Sequence, residues 1–315
     1  MNDRTDSDRR AASELARSVL AQLSTVVLGK ELALTQALSC LVARGHLLIE
    51  DQPGVGKTTM AHALAVTLGL KFQRVQFTSD LLPADLIGVS IFDAGQHVFR
   101  FHPGPLFTQV LLADEINRTT PKTQSALLEA MEERQVTVDG HTHALPRPFF
   151  VIATQNPQHQ IGTFPLPESQ LDRFLMRISV GLPDARAERE LLAGRDRREM
   201  LAELPASTDG AGLAAMQAAA AGIHAGDRVL DYVQALLTAS RNLPDVPQGL
   251  SPRCGIGLLG AARAWALIAG RDHLRPEDVQ AVLPAVATHR LLHAGGRNGR
   301  SGEVVRHLIE AVPVP

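Results

Sequence analysis

The segment Asp51-Gln52-Pro53-Gly54-Val55-Gly56-Lys57-Thr58-Thr59 constrains this chain more than any other. An apolar run, Leu47-Leu48-Ile49, precedes it, and Met60, Ala61, Leu64, Ala65 and Leu68 follow at helical spacing. Strand, glycine loop and helix in that order are the context of a phosphate-binding loop. The backbone N–H groups of residues 54–59 then face an anion at a helix N-terminus, where unpaired donors and helix dipole both favour negative charge. In this reading residues 53–59 form the cradle, Lys57 reaches the β- and γ-phosphates, and the Thr58 hydroxyl sits on Mg²⁺. Gly69 supplies a helix stop. The pattern G-x-x-x-x-G-K-[ST] asks for glycine where this chain has Asp51, a departure at the loop's first turn that leaves the phosphate-facing half intact. The competing reading, a glycine turn with a surface lysine, does not account for the flanking strand and helix.

The chain has 315 residues and a net charge of −2, with a sequence pI of about 6.6. The length predicts two domains with ample sequence for a core. Nothing in the global charge draws the chain to nucleic acid or to an anionic membrane. The polar start, Met1-Asn2-Asp3-Arg4-Thr5-Asp6, lacks the apolar core of a signal peptide, and no uncharged apolar run is long enough to span a bilayer. Cys40 and Cys254 lack metal-ligand spacing and read as buried thiols in a reducing cytoplasm. Lysine is scarce: Lys30, Lys57, Lys71 and Lys122 stand among a large majority of arginines. A compact ammonium at Lys57 meets a need for a point charge between phosphate oxygens.

Residues 1–25 read as a helix with a polar start, residues 26–181 as an α/β unit, and residues 182–315 as an all-helical unit. Within the α/β unit the pattern predicts strands at 46–49, 72–77, 110–113, 149–154 and 176–180; several are continuous apolar runs, as in a parallel sheet buried on both faces. Two hairpins interrupt it, at 89–92 with 97–101 and, around Asp139-Gly140, at 136–138 with 141–143. Thr120 is the expected cap of a helix with Pro121 at its first position. A looser, low-complexity stretch is expected near 211–226. His141 and His143 project the same way from their hairpin without forming a metal-binding pattern.

Four further places carry chemistry. Val110-Leu111-Leu112-Ala113-Asp114-Glu115 is an apolar strand ending in two acids. Asp114 is placed to hold Mg²⁺ through water, and Glu115 to orient and deprotonate an attacking water; the alternative is a solvated strand end. A second buried strand ends at Asn156, which could bond the γ-phosphate, position the lytic water, or serve as a structural amide. Around Leu171, Phe174 and Leu175, Arg173 falls on another face and reads either as an arginine finger or as a surface salt bridge. Ser251 caps a helix whose first turn holds Arg253, where the macrodipole disfavours a cation unless an anion lies in front of it.

These pieces in this order resemble the AAA+ ATPases, and specifically the MoxR family, over about residues 26–293. The most specific words are Gln76-Phe77-Thr78-Ser79-Asp80-Leu81-Leu82-Pro83, Ala113-Asp114-Glu115-Ile116-Asn117-Arg118, Thr123-Gln124-Ser125-Ala126-Leu127-Leu128-Glu129-Ala130-Met131-Glu132-Glu133, Ala153-Thr154-Gln155-Asn156-Pro157 and Gly249-Leu250-Ser251-Pro252-Arg253. The resemblance implies an AAA+ P-loop NTPase fold, a parallel sheet flanked by helices with a C-terminal all-helical lid. It makes residues 54–59 the Walker A motif, Asp114 and Glu115 the Walker B motif, Asn156 sensor 1, Arg173 the arginine finger and Arg253 sensor 2, acting on its own nucleotide or a neighbour's. The two hairpins become the helix-2 and pre-sensor-1 insertions. It further implies ATP and Mg²⁺ as cofactors and a homo-oligomeric, hexameric ring. The implied activity is chaperone-like remodelling of a client protein, including metal or cofactor insertion, with a separate von Willebrand factor A domain protein as partner. The chain itself has no D-x-S-x-S metal-adhesion motif. A magnesium-chelatase-like motor, a nucleic-acid motor or activator, and a nucleotide-gated scaffold are the alternative classes. The hairpin tip Asp93-Ala94-Gly95-Gln96 lacks the activator loop Gly-Ala-Phe-Thr-Gly-Ala, and no basic, aromatic-studded stripe appears, so no nucleic acid is expected.

Overall fold

Short apolar runs become the strands of one parallel sheet. The computed structural model describes residues 2–156, 163–244, 246–291 and 300–314; Pro157 and residues 292–293 of the family resemblance lie outside them. Helices α1 (Asn2–Val26) and α2 (Glu31–Val42) lead into β1 (His46–Glu50), which the glycine loop joins to α3 (Lys57–Thr67) and β2 (Phe72–Gln76). After α4 (Pro83–Ile87) comes a hairpin of β3 (Gly88–Asp93) and β4 (Val98–Pro103), then β5 (Val110–Asp114), a 3₁₀ turn (Ile116–Arg118) and α5 (Pro121–Glu133). A second hairpin, β6 (Gln135–Val138) and β7 (His141–Ala144), precedes β8 (Phe150–Gln155), the one-turn α6 (Glu168–Leu171) and β9 (Phe174–Ile178). The named elements beyond β9 are all helices: α7 (Ala185–Ala193), α8 (Arg197–Glu203), α9 (Gly210–Ala221), α10 (Asp227–Arg241), α11 (Pro252–Ile268), α12 (Pro276–Ala287) and α13 (Arg300–Ala311).

The sheet runs β2-β5-β8-β1-β9 with every pairing parallel. Its side chains alternate between two apolar layers. Leu47, Ile49, Val110, Leu112 and Ile152 pack on the side of α1 to α3 and the C-terminal helices. Leu48, Leu111, Ala113, Val151 and Ala153 pack on the side of α5. Covering both faces explains why these strands read as continuous apolar runs. The topology sets β8 between β1 and β5, so the segments that follow these three strands leave the sheet side by side at its carboxyl edge, where open α/β sheets bind ligands.

β9 starts and ends two residues before the span expected from the sequence. His46 pairs with Phe174 but Leu47 pairs with Met176, so Leu175 is an extra residue. This irregularity turns Phe174 toward the α5 layer while Met176 and Ile178 face the other. Beyond Ile178, Ser179 and Gly181 are drawn to Asp51 instead of continuing the ladder. The stretch near 211–226 is not loose over most of its length: α9 is a regular helix whose Asp209 cap accepts from the N–H groups of Ala211 and Gly212. Its alanines carry the highest helix propensity, and Leu213, Met216 and Ala220 are buried. Ser251 caps α11 as expected, accepting from Cys254 N–H at 3.1 Å. Thr120 stands at the N-cap of α5 but bonds no backbone N–H there; its hydroxyl lies 3.4 Å from that of Thr123.

The two hairpins touch. Phe101 of β4 stacks on His143 of β7 with ring centroids 4.0 Å apart. Cys40 and Cys254 are both buried, and burial pushes both thiols above their ordinary pKa. Among the described residues no helix is long and apolar enough to cross a membrane.

Candidate active site

Between β1 and α3 the backbone takes the left-handed region twice, at Gly54 (φ 86°) and Gly56 (φ 91°). A Cβ at either position would meet nothing within 4 Å, so backbone conformation, not crowding, requires glycine there. Gly56 is the N-cap of α3 and offers no side chain to it, leaving the first N–H groups of the helix directed into an open cradle. Val55 is buried, Pro53 and Gly54 are exposed, and Thr58 and Thr59 are half-buried. Lys57 is buried, and its ammonium donates to the Asn156 side-chain oxygen at 3.0 Å, to the Gln52 carbonyl at 3.1 Å and to the Asp51 carbonyl. Burial pulls the Lys57 pKa down, while Asp51, Asp114 and Glu115 pull it up.

Asn156, at the end of β8, connects this lysine to the acids of β5. Its Oδ1 accepts from Lys57 and its Nδ2 donates to Glu115 Oε1 at 2.9 Å. Glu115 reaches that position because its backbone is left-handed (φ 58°), a conformation that costs a non-glycine residue about 1 kcal/mol. Thr154 holds the turn: its hydroxyl accepts from Glu115 N–H at 2.9 Å and donates to Asp114 Oδ1 at 2.6 Å. The other Glu115 oxygen accepts from Gln76 Nε2 at 2.9 Å and pairs with Arg118 at 3.1 Å. Asp114 is buried, and its Oδ2 accepts from Arg74 Nε at 3.0 Å and Nη2 at 2.6 Å. The structure thus brings Lys57, Asp114, Glu115 and Asn156 into one hydrogen-bonded constellation beside the glycine cradle.

Arg173 and Arg253 are not in it. Arg173 immediately precedes β9, whose first residue pairs with His46 at the start of β1. The glycine loop follows the other end of β1, roughly 15 Å away at about 3.3 Å per strand residue. The two arginines instead share one carboxylate. Arg173 pairs with Glu132 Oε2 at 3.2 Å and Arg253 with Glu132 Oε1 at 3.1 Å, on the wall of a cavity of about 550 Å³. The anion in front of Arg253, in the first turn of α11, is therefore a carboxylate of α5. Arg290 fixes the neighbouring backbone: it donates to the carbonyls of Asp172, Phe174 and Leu175 and pairs with the Asp172 carboxylate at 2.6 Å.

A sequence profile of the ATPase family associated with various cellular activities (AAA) matches residues 46–176, and one of the AAA lid domain matches residues 238–308. The chaperone MoxR1 of Mycobacterium tuberculosis is 40% identical over 280 residues, covering 86% of this chain and 74% of that protein. This chain belongs to the MoxR family of AAA+ ATPases. The uncharacterised YeaC of Bacillus subtilis is 44% identical over 304 residues, covering 96% of this chain and 95% of its own length. The crystal structure of a candidate ATPase from Cytophaga hutchinsonii superposes with a TM-score of 0.89 at 31% identity, covering 98% of this chain and 97% of that one. The sheet and helices described above are thus the AAA+ fold.

Some residues around this MoxR-family site carry no individual role in the sequence-level reading: Arg74, Gln76, Arg118, Glu132, Thr154 and Arg290. Gln76 and Thr154 were findable in principle, because each is polar and lies at or next to the end of a strand beside β5; Gln76 pairs in register with Asp114. Glu132 and Arg290 left no such signal. Their partners lie 121 residues away at Arg253 and 118 away at Asp172, and only the packing of the C-terminal helices against α5 and β9 joins them.

Proposed function

We propose that this MoxR-family protein binds and hydrolyses ATP with Mg²⁺ at the cradle of residues 53–59, and does so in the cytoplasm as a homo-oligomeric ring. The observation that carries the reading is the chain Lys57–Asn156–Glu115, which links a phosphate-seeking ammonium to a carboxylate base through one amide. The loop N–H groups and Lys57 hold the β- and γ-phosphates. Asn156 orients the attacking water, and Glu115 accepts its proton. The residues fit the metal: Thr58 and Asp114 supply oxygen donors of the kind Mg²⁺ takes beside phosphate oxygens. Bound there, the cation would neutralise charge developing on the phosphates. Arg74, which holds the Asp114 carboxylate, has to yield some of that contact when Asp114 turns to the metal.

Arg173 and Arg253, far from their own loop and held by one carboxylate, form the half-site that a ring delivers to the next subunit. Heterologous contacts that close give such rings. This favours Arg253 acting on a neighbour's nucleotide. The helices beyond residue 181 are the lid. The client is a protein, met in part by the hairpin β3–β4, where Ile91, Phe92 and Phe99 are exposed. A separate von Willebrand factor A domain protein and metal or cofactor insertion complete the proposal by family resemblance, and MoxR1 carries the chaperone description.

ATP turnover measured against protein concentration, with light scattering on the same samples, tests this reading. Specific activity should rise as a nucleotide-dependent ring assembles. A monomer with concentration-independent turnover would exclude the shared site, and tight binding without turnover would make the protein a switch instead of a motor.

A further inference from the structure

Asp51 stands where the phosphate-loop pattern has glycine, and its side chain is fully engaged. One carboxylate oxygen, Oδ2, accepts from the Ser179 hydroxyl at 2.6 Å and from the Gly181 N–H at 2.6 Å; Oδ1 accepts from the Gln52 N–H at 2.8 Å. Ser179 and Gly181 belong to the short connection between the last strand and the first helix of the C-terminal region. Gly181 has φ 68° with nothing within 4 Å of a Cβ, so glycine is there for the left-handed turn that takes the chain out of the sheet. The same residue is gripped from its carbonyl side by Lys30 Nζ at 2.8 Å, a buried lysine from the link between α1 and α2.

We infer that Asp51 is a positioning residue, a tether that makes the phosphate loop and the root of the helical lid move as one body. The inference rests on the nucleotide reading above and adds a path to it. The Lys57 ammonium donates to the Asp51 carbonyl, and the Asp51 carboxylate holds Ser179 and Gly181. Phosphate oxygens compete with the Asp51 carbonyl for that ammonium, so loading and emptying the cradle changes the load on Asp51. The carboxylate passes the change to Gly181, two hydrogen-bonded steps from the Lys57 ammonium. Glycine at position 51 would keep the cradle, whose donors are backbone N–H groups and Lys57, and would release the lid. The ordinary alternative is a carboxylate that merely caps its own turn through Gln52. That alternative explains Oδ1 but not the two short bonds to Oδ2. Desolvation raises the pKa of Asp51, but hydrogen bonds from Ser179, Gly181, Gln52 and Val180 together leave it lowered, which accords with a carboxylate that stays ionised in this place.

The test is a distance measurement on full-length protein carrying fluorophores at Lys122→Cys on α5 and Gln234→Cys on α10. Both positions are exposed, and the native cysteines are buried and should stay unlabelled. The change in transfer efficiency between ADP and a non-hydrolysable ATP analogue is recorded, with ATP turnover alongside. Asp51→Gly should keep KM for ATP within about threefold while the distance change falls to less than about a quarter of wild type and kcat drops about tenfold. Asp51→Asn, whose amide oxygen can still accept from Ser179 and Gly181, should recover at least about half of the distance change. Ser179→Ala removes one arm from the other side and should reduce the change as well, which keeps the tether testable if Asp51→Gly folds poorly. A full wild-type distance change in Asp51→Gly or in Ser179→Ala would overturn the inference, as would Asp51→Asn behaving like Asp51→Gly. A wild-type protein that turns over ATP without any distance change would also overturn it. A protein that binds no nucleotide would instead sink the function proposal itself.

Discussion

The pairing of Arg173 and Arg253 on Glu132 leads to a quantitative expectation for mixed rings. Glu115→Gln subunits keep both arginines but lack the base; Arg253→Ala subunits keep the base but lack one arginine. If the arginines serve the next subunit, each interface takes its nucleotide half from one protomer and its arginine half from the other. In a random equal mixture, about one interface in four joins an Arg253→Ala nucleotide half to a Glu115→Gln arginine half. Such an interface has every group the wild type has. Each variant alone should be crippled, Arg253→Ala (like the reference Arg173→Ala) by about 10³-fold or more and Glu115→Gln by about 10²–10⁴-fold. The mixture should therefore recover roughly a quarter of wild-type turnover, far above the sum of its parts. The assay is phosphate release after the two proteins are mixed as protomers and assembled with ATP, with Arg173→Ala mixed in the same way as a reference. Rescue of Arg173→Ala but not of Arg253→Ala would refute the reasoning, because it would return Arg253 to its own nucleotide and make its sharing of Glu132 with Arg173 incidental. Failure of both, with rings still forming, would remove Arg173 from the shared site as well.

Three further outcomes are expected. Glu115→Gln should bind ATP as tightly as wild type while losing turnover; unchanged turnover would mean that another group deprotonates the water. Stability should fall in acid through His46. Its Nε2–H donates to the Met131 carbonyl at 3.2 Å and its Nδ1 accepts from Val151 N–H at 3.0 Å, so the neutral ring is held on both sides. Burial lowers its pKa from 6.5 to about 4. The unfolded chain takes up the proton first as pH drops, so this contribution is intact above about 6.5 and lost toward 4, about 3 kcal/mol in all. Urea midpoints at pH 7 and 4.5 should show a smaller loss in His46→Gln than in wild type, and an equal loss would contradict the assignment. Arg290→Met should cost about 3–5 kcal/mol by leaving the Asp172 carboxylate unpaired in its partly buried place, read as a lowered denaturation midpoint; a change under about 1 kcal/mol would mean that the contacts to residues 172–175 hold without it.

Lys57, Asp114, Glu115 and Asn156 were legible as candidates before any coordinates because each is the polar end of a local apolar pattern. A loop between strand and helix, or the last residue of a buried strand, advertises itself over fewer than ten residues. Strand order and boundaries follow less directly. The bulge at Leu175, between the pairs His46–Phe174 and Leu47–Met176, leaves no mark in the local alternation. The alanine-rich α9 shows the same limit from the other side: low complexity read locally as looseness, whereas close packing against α1 uses those small side chains.

What the sequence determined by itself is the chemistry available: an ammonium, a glycine cradle, two acids, an amide and two arginines, each attached to a recognisable element. Which of them meet was decided by the tertiary structure. Parallel order places β8 between β1 and β5 and so puts Asn156 between Lys57 and Glu115. The placement of α11 brings Arg253 to Glu132, the carboxylate that Arg173 also holds, rather than to its own loop. Parallel pairing of β1 with β9 sets the one departure from the loop pattern, Asp51, beside the turn at Ser179 and Gly181 that leaves the sheet. Local patterns are set by short-range sterics and burial. Contacts between residues more than a hundred positions apart are set by how whole faces close on each other, and a single sequence does not spell that out.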